Sequence, residues 1–210
     1  MKFSNVYFVN GTAYAGKSTL VKLLAERNNG IACEENYHDA LLNELDAAEF
    51  PNLCYTRDLA DWHDFVRRTP EEYEAWIDGV TRECEALELR ILDSLASSDR
   101  PIFVDTNIRP KTLRNITATD HVLIMLADPE ISVKRFFDRP DKEKQFLYRL
   151  MLEEPNPTAA LANFRACLAR INSQERYNSF LNAGFPVLLR DETRTADETA
   201  DRAEALFGLR

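Results

Sequence analysis

Gly11-Thr12-Ala13-Tyr14-Ala15-Gly16-Lys17-Ser18 is the stretch that decides how this chain is read. It matches the spacing G-x-x-x-x-G-K-[ST], a loop whose backbone N–H groups cradle the phosphates of a nucleotide. Its surroundings are the ones the motif needs. Val6-Tyr7-Phe8-Val9, just before it, is a β-branched and aromatic run, which predicts a strand. Thr19-Leu20-Val21-Lys22-Leu23-Leu24-Ala25, just after it, has helical apolar spacing. The helix should run from Lys17 to about Asn28, with Gly30 as its stop.

The chemistry explains the spelling. A triphosphate needs several N–H donors converging on it, and a loop curled into a nest at a helix N-terminus supplies them. Gly11 and Gly16 permit backbone angles and a close approach that a Cβ would block. Lys17 brings a mobile positive charge to the β- and γ-phosphates, and the Ser18 hydroxyl is a hard oxygen ligand for Mg²⁺. The nucleotide-binding set is therefore Gly11, Thr12, Ala13, Tyr14, Ala15, Gly16, Lys17, Ser18 and Thr19, and it implies ATP and Mg²⁺.

The whole chain bounds this reading. Its 210 residues suffice for one α/β domain with a full core and inserted lids. A formal net charge of −9 argues against a broad nucleic-acid or anionic-membrane surface. Cys33, Cys54, Cys84 and Cys167 form no C-x-x-C pair and no metal-ligand spacing, so reduced thiols in a cytoplasmic setting are expected. No signal segment and no run of about twenty apolar residues is read from the chain, so no membrane span is expected.

Further strands are predicted at Ile31–Cys33, Ile102–Val104, His121–Ala127 and Val187–Leu189. Between them the pattern is helical. Residues from about 40 to 98 form an insert with no strand. Thr69-Pro70-Glu71-Glu72 is a capping box with proline at the first helical position. It opens a long helix with one apolar stripe running from Tyr73 and Trp76 to Ile91 and Leu95, read as packing. Glu130 to Phe137 should be a short helix, and residues from about 134 to 150 a basic lid. One long helix is expected from Thr158 to Asn182, stopped by Gly184. A second capping box, Thr195-Ala196-Asp197-Glu198, opens the last helix. Strands alternating with helices imply a parallel sheet covered on both faces.

The arrangement resembles that of the P-loop kinases of small molecules: nucleoside monophosphate kinases, deoxynucleoside kinases, and the shikimate and chloramphenicol kinases. The resemblance covers most of the chain as a layout, with the P-loop its one specific motif. It implies a P-loop NTPase fold in which the P-loop strand is central among five parallel strands, with helical lid insertions. It implies an acceptor site after the second strand, where Glu34 stands as the general base with Glu35 as the second choice. It implies a carboxylate for the Mg²⁺ shell at the end of the third strand, where Asp105 stands. Arg135 and Arg139 fall in the lid segment, four residues apart and able to close over the transferring phosphoryl group. Asp191-Glu192-Thr193-Arg194 falls in the region that packs against adenine. Glu35, Asp39 and Arg109 are further acceptor contacts, with Arg67 or Arg68 an alternative grip on an acceptor phosphate. No Asp-Gly-Phe-Pro-Arg stretch like that of adenylate kinases occurs, and the third strand ends in Asp105-Thr106-Asn107 rather than Glu-Arg-Ser or Asp-Arg. The function expected is ATP-dependent phosphoryl transfer to a small molecule. A nucleoside or nucleotide is favoured as acceptor, and a sugar-like or antibiotic hydroxyl comes next. An NTP-hydrolysing switch is disfavoured by the lack of Asp-x-x-Gly and Asn-Lys-x-Asp motifs, and a motor ATPase by the short chain. A nucleotide-binding regulator without turnover stays open.

Overall fold

A computed structural model describes residues 2–138 and 142–209. Its centre is a five-stranded sheet in which every pairing is parallel, with strand order β2-β3-β1-β4-β5. The strands are β1 (Val6–Gly11), β2 (Ile31–Cys33), β3 (Ile102–Asp105), β4 (Val122–Leu126) and β5 (Val187–Leu189). β1 lies between β3 and β4, with Val9 in register with Asp105 on one side and Leu123 on the other.

Alternation along the strands feeds two cores. Phe8, Val104, Val122 and Ile124 face one layer, where they meet Phe3, Leu92 and Leu113. Val9, Phe103, Leu123 and Met125 face the other, packed on α1 (Lys17–Arg27) and on α10 (Ala196–Leu206). Strands covered on both faces need apolar residues at every position, and all five residues of β4 are buried. Burying a side chain of the size of Phe8 or Phe103 contributes about 2–3 kcal/mol.

The insert after β2 is helical throughout its regular elements. A 3₁₀ turn at Tyr37–Glu44 leads to α2 (Pro51–Asp58), α3 (Trp62–Val66) and α4 (Pro70–Leu95). The Thr69/Glu72 capping box at the start of α4 and the Thr195/Glu198 box at the start of α10 both form. α5 (Pro110–Ile116) joins β3 to β4. After β4 come α6 (Pro129–Lys134), a 3₁₀ turn at Phe136–Asp138, α7 (Lys142–Glu153), α8 (Pro157–Ile171) and α9 (Gln174–Leu181). A third core of Phe65, Tyr73, Met151, Phe164 and Leu168 holds α3, α7 and α8 against the start of α4. All four cysteines are free and buried, Cys33 in the first sheet core, Cys54 and Cys84 between α2 and α4, and Cys167 in the third core.

Three boundaries differ from the sequence reading. The expected helix from Thr158 to Asn182 is two helices, because the Ser173 hydroxyl accepts from Arg176 N at 3.3 Å and starts α9 afresh. The helix expected to reach Phe137 ends at Lys134. α1 is stopped by Asn29, which takes the left-handed conformation (φ 49°), and not by Gly30. Gly30 is needed for a different reason: a Cβ there would lie 2.7 Å from Pro101 O and 2.8 Å from the Phe103 ring. Among the described residues no helix is long and apolar enough to cross a membrane.

Candidate functional site

The site is built where β1 runs out. Asn10, buried, turns the chain: its Oδ1 accepts from Gly11 N at 2.6 Å and its Nδ2 donates to Ile108 O at 2.7 Å. Thr12 fixes the far side of the turn, with its N–H donating to Met125 O at 3.0 Å and its Oγ1 accepting from Ala127 N at 2.8 Å. Gly11 has φ 132°, and a Cβ on it would collide with the Met125 carbonyl. Tyr14 (φ 64°) and Gly16 (φ 90°) are also left-handed. Such a winding turns successive N–H groups inward. α1 then opens with no side-chain cap and no acidic residue in its first turn, leaving its free N–H groups to an anion.

Below this turn Asp105, the last residue of β3, is 3% exposed. Ser18 Oγ donates to Asp105 Oδ2 at 2.8 Å, and Lys17 Nζ lies 3.8 Å from Oδ1. Lys17 also donates to Thr12 O at 3.2 Å. Burial pushes the Asp105 carboxyl above its ordinary range; Lys17 and the Ser18 hydrogen bond oppose that push, and Glu35 adds to it. Hydroxyl, carboxylate and ammonium are thus gathered at one point.

Two carboxylates hold the loop that follows Asp105, and the sequence reading missed both. Glu88, 0% exposed on α4, accepts from Thr106 Oγ1 at 2.6 Å and from Asn107 through N (3.1 Å) and Nδ2 (2.9 Å). Glu85, one turn earlier, accepts from Arg109 N and Nε, both at 2.8 Å, from Arg109 Nη2 at 2.9 Å and from Thr112 Oγ1 at 2.8 Å. Burial raises the Glu88 carboxyl to about 7 despite these hydrogen bonds, and Asp105 adds to the rise. Burial would raise Glu85 too, but its bonds from Arg109 and Thr112 outweigh it and the net shift is downward. The available signal was a pair of glutamates, three apart, beside an apolar stripe (Cys84, Leu87, Ile91) that is buried elsewhere.

Three cavities meet at the turn. One of about 310 Å³ lies between α1, β5 and the 190–194 loop, with Gly16, Thr19, Leu188, Arg190 and Asp191 in its wall. A second, of about 350 Å³, lies under the helices gathered around the third core (α3, α7, α8 and the start of α4), the helical cap, and includes Lys17, Ser18, Glu35, Tyr73, Ser132 and Lys144. The third, of about 130 Å³, joins Lys17 and Asp105 to Glu35, Asn107 and Arg109.

Glu35, not Glu34, stands on the walls of the last two. Asn36 (φ 60°) turns the chain after β2, and Glu34 goes outward to pair with Lys22 at 2.8 Å, both about half exposed. Glu34, the first choice for a base, thus lines none of the three cavities, and Glu35, the second choice, lines two. Asp39 is exposed, 3.7 Å from His38 Nε2, and lines none of the three cavities. Arg109 borders the third, but its fork is held by Glu85. Arg67 and Arg68 line a separate groove with Tyr55 and Trp76. Arg135 is exposed, 3.8 Å from Glu192, and its carbonyl accepts from Tyr14 Oη at 3.0 Å. Arg139 lies outside the described residues. Asp191 caps its own loop, accepting from Thr193 N at 2.9 Å and from Thr193 Oγ1 at 2.6 Å. Arg190, unforeseen, donates to the Tyr14 carbonyl and braces the left-handed turn. Lys144, read from the sequence as part of a solvated face, borders the second cavity with its Nζ 5.5 Å from the Phe136 ring centre.

Comparison with protein-family models, with curated proteins and with solved structures finds no match.

Proposed function

We propose that this chain is a Mg²⁺-ATP-dependent phosphotransferase of the P-loop kinase kind, acting on a small molecule. The observation that carries the reading is the Ser18–Asp105 hydrogen bond at 2.8 Å beneath a turn wound through three left-handed residues, Gly11, Tyr14 and Gly16. Neither the motif alone nor the fold alone would require a buried carboxylate from another strand to meet that serine.

The donor set suits the ion. Ser18 Oγ and Asp105 Oδ2 are hard oxygens, and Mg²⁺ is held by one or two such protein groups with phosphate and water completing its shell. When bound, the ion neutralises charge on the β- and γ-phosphates.

The chain's own groups do the rest. The turn's N–H groups and the first turn of α1 hold the phosphate tail, and Lys17, released from Thr12 O, follows charge onto the transferring group. The base of the nucleotide lies in the cavity by Leu188 and Asp191, and the acceptor under the helical cap. Glu35, between Lys17 and the cap, receives the acceptor's proton. Arg135 is weakly held and exposed, so it can swing over the phosphates as the cap closes, which also excludes water.

The test is titration of the pure protein with Mg²⁺-ATP and Mg²⁺-GTP by calorimetry, with Lys17→Ala alongside. Saturable heat from the native chain is expected, at least tenfold weaker in the variant while its circular dichroism is unchanged. No heat from either nucleotide would refute the assignment.

A further inference from the structure

We propose that the acceptor is an uncharged alcohol carried on a ring, phosphorylated on its hydroxyl, and that Ser132 is the residue that recognises it. This rests on the kinase reading above and narrows it.

The cavity under the cap has apolar walls from Tyr73, Phe136, Leu168 and Ile171. At about 350 Å³ it is at the small end of ligand pockets, enough for a ring or two. Into this wall comes Ser132, 2% exposed, whose Oγ has no hydrogen-bond partner. A buried hydroxyl without a partner is costly to keep unless something enters to bond it. A polar atom of the acceptor is the partner the geometry offers.

The charges on the walls point the same way. An acceptor phosphate is a dianion and is ordinarily gripped by forked guanidinium groups. Among the described residues no arginine lines this cavity; its cations are the single ammonium groups of Lys17 and Lys144, with Glu35 beside them and Asp105 in the adjoining cavity. Arg109 is spent on Glu85, and Arg190 on the Tyr14 carbonyl and Glu192. A dianion would thus lie beside the Glu35 carboxylate and find no guanidinium fork, with Lys17 already owed to ATP and only the Lys144 ammonium left on this wall. A neutral hydroxyl meets no such repulsion and finds in Glu35 the acceptor for its proton. The step balances: the hydroxyl oxygen forms a bond to the γ-phosphorus, its proton passes to the Glu35 carboxylate, and the bond from that phosphorus to the bridging oxygen breaks with its electron pair leaving on ADP.

The experiment measures ADP release from Mg²⁺-ATP in the presence of matched pairs: nucleosides and other ring-bearing alcohols, each beside its own monophosphate. At least a tenfold stimulation is expected from a member of the alcohol set and none from its phosphate, with a phosphomonoester product by phosphorus NMR. Ser132→Ala should raise the KM for that alcohol about fivefold to tenfold, with kcat and the KM for ATP unchanged. Glu35→Gln should lower kcat by about a hundredfold or more with both KM values kept. Stimulation by a monophosphate, no stimulation by any alcohol when calorimetry shows Mg²⁺-ATP bound, or an unchanged KM in Ser132→Ala would each overturn the proposal and leave the kinase reading standing. Failure of Mg²⁺-ATP to bind would overturn both.

Discussion

Gly11 and Gly16 have the same role in the motif and different reasons for being glycine. Both have positive φ, but a Cβ at Gly11 would strike the Met125 backbone, whereas none would meet any atom within 4 Å at Gly16. Gly16→Ala should therefore cost roughly 1 kcal/mol, the left-handed penalty alone. Gly11→Ala should cost more than about 3 kcal/mol, because β1 and β4 must part to admit it. Urea midpoints of the two variants check this; equal losses would mean that the close approach to Met125 is not real. At this scale the sequence was legible where spacing alone fixes geometry, as for Lys17 and Ser18. It was not legible where one backbone angle decides between neighbours. Glu34 and Glu35 are chemically the same, and only the left-handed Asn36 sends one to Lys22 and the other to the cavities. Arg190 carries no local pattern at all; its contact with the Tyr14 carbonyl joins residues distant in the chain.

Among the elements, α4 does the most for the site. Its apolar stripe and capping box were readable, and so was its start, because a box, a proline and a 3.6-residue period agree. Its second task, gripping the loop after β3 through Glu85 and Glu88, was not, since a glutamate beside a stripe normally faces water. The grip has a pH signature. Burial raises the Glu88 carboxyl from 4.5 to about 7, so between those values the folded chain holds a proton that the unfolded chain has released. The protonated form's contribution to stability is complete below the lower value and gone once pH exceeds the upper one. Tyr37, Cys33 and Cys84 surround this carboxyl, each with its own acidity pushed down by burial and by Glu88, and His38 Nδ1 stands 3.7 Å from it. They leave the sign of the Glu88 contribution unchanged: the two thiols and the phenol stay neutral across the window, and His38, whose pKa burial lowers and which works the other way, is present in both proteins compared. Stability measured by urea at pH 5, 6, 7 and 8 should fall with rising pH in the native protein and do so less steeply in Glu88→Gln. Parallel curves would remove Glu88 from the account. The break between α8 and α9 was missed for a related reason: Ser173 can sit in a helix or cap one, and its neighbours in the sequence do not choose.

At the scale of the molecule, the alternation of strands and helices made the parallel sheet readable, and β1 is central as expected. How the helical pieces pack was not readable. The third core, around Phe164 and Tyr73, is composed of side chains from four helices far apart in the chain, and no periodicity announces it. α4 passes from that core at Tyr73 to the sheet core at Leu92, about 28 Å along its axis at 1.5 Å per residue. It is the mechanical link between the cap and the sheet.

The four cysteines turn this division into something that can be timed. They are sealed from solvent in three parts of the packing: one on the sheet, two beside the middle of α4, one under the cap. A maleimide added to the native protein should reach each thiol only as its own layer opens, and mass spectrometry would read the order. Cys167 should be labelled before Cys33, since under the proposed function the cap opens to admit a substrate and the sheet need not. Mg²⁺-ATP with acceptor should slow Cys167 most. Simultaneous labelling of all four would mean that the protein opens only as one body, and a cap that moves by itself would have to be abandoned.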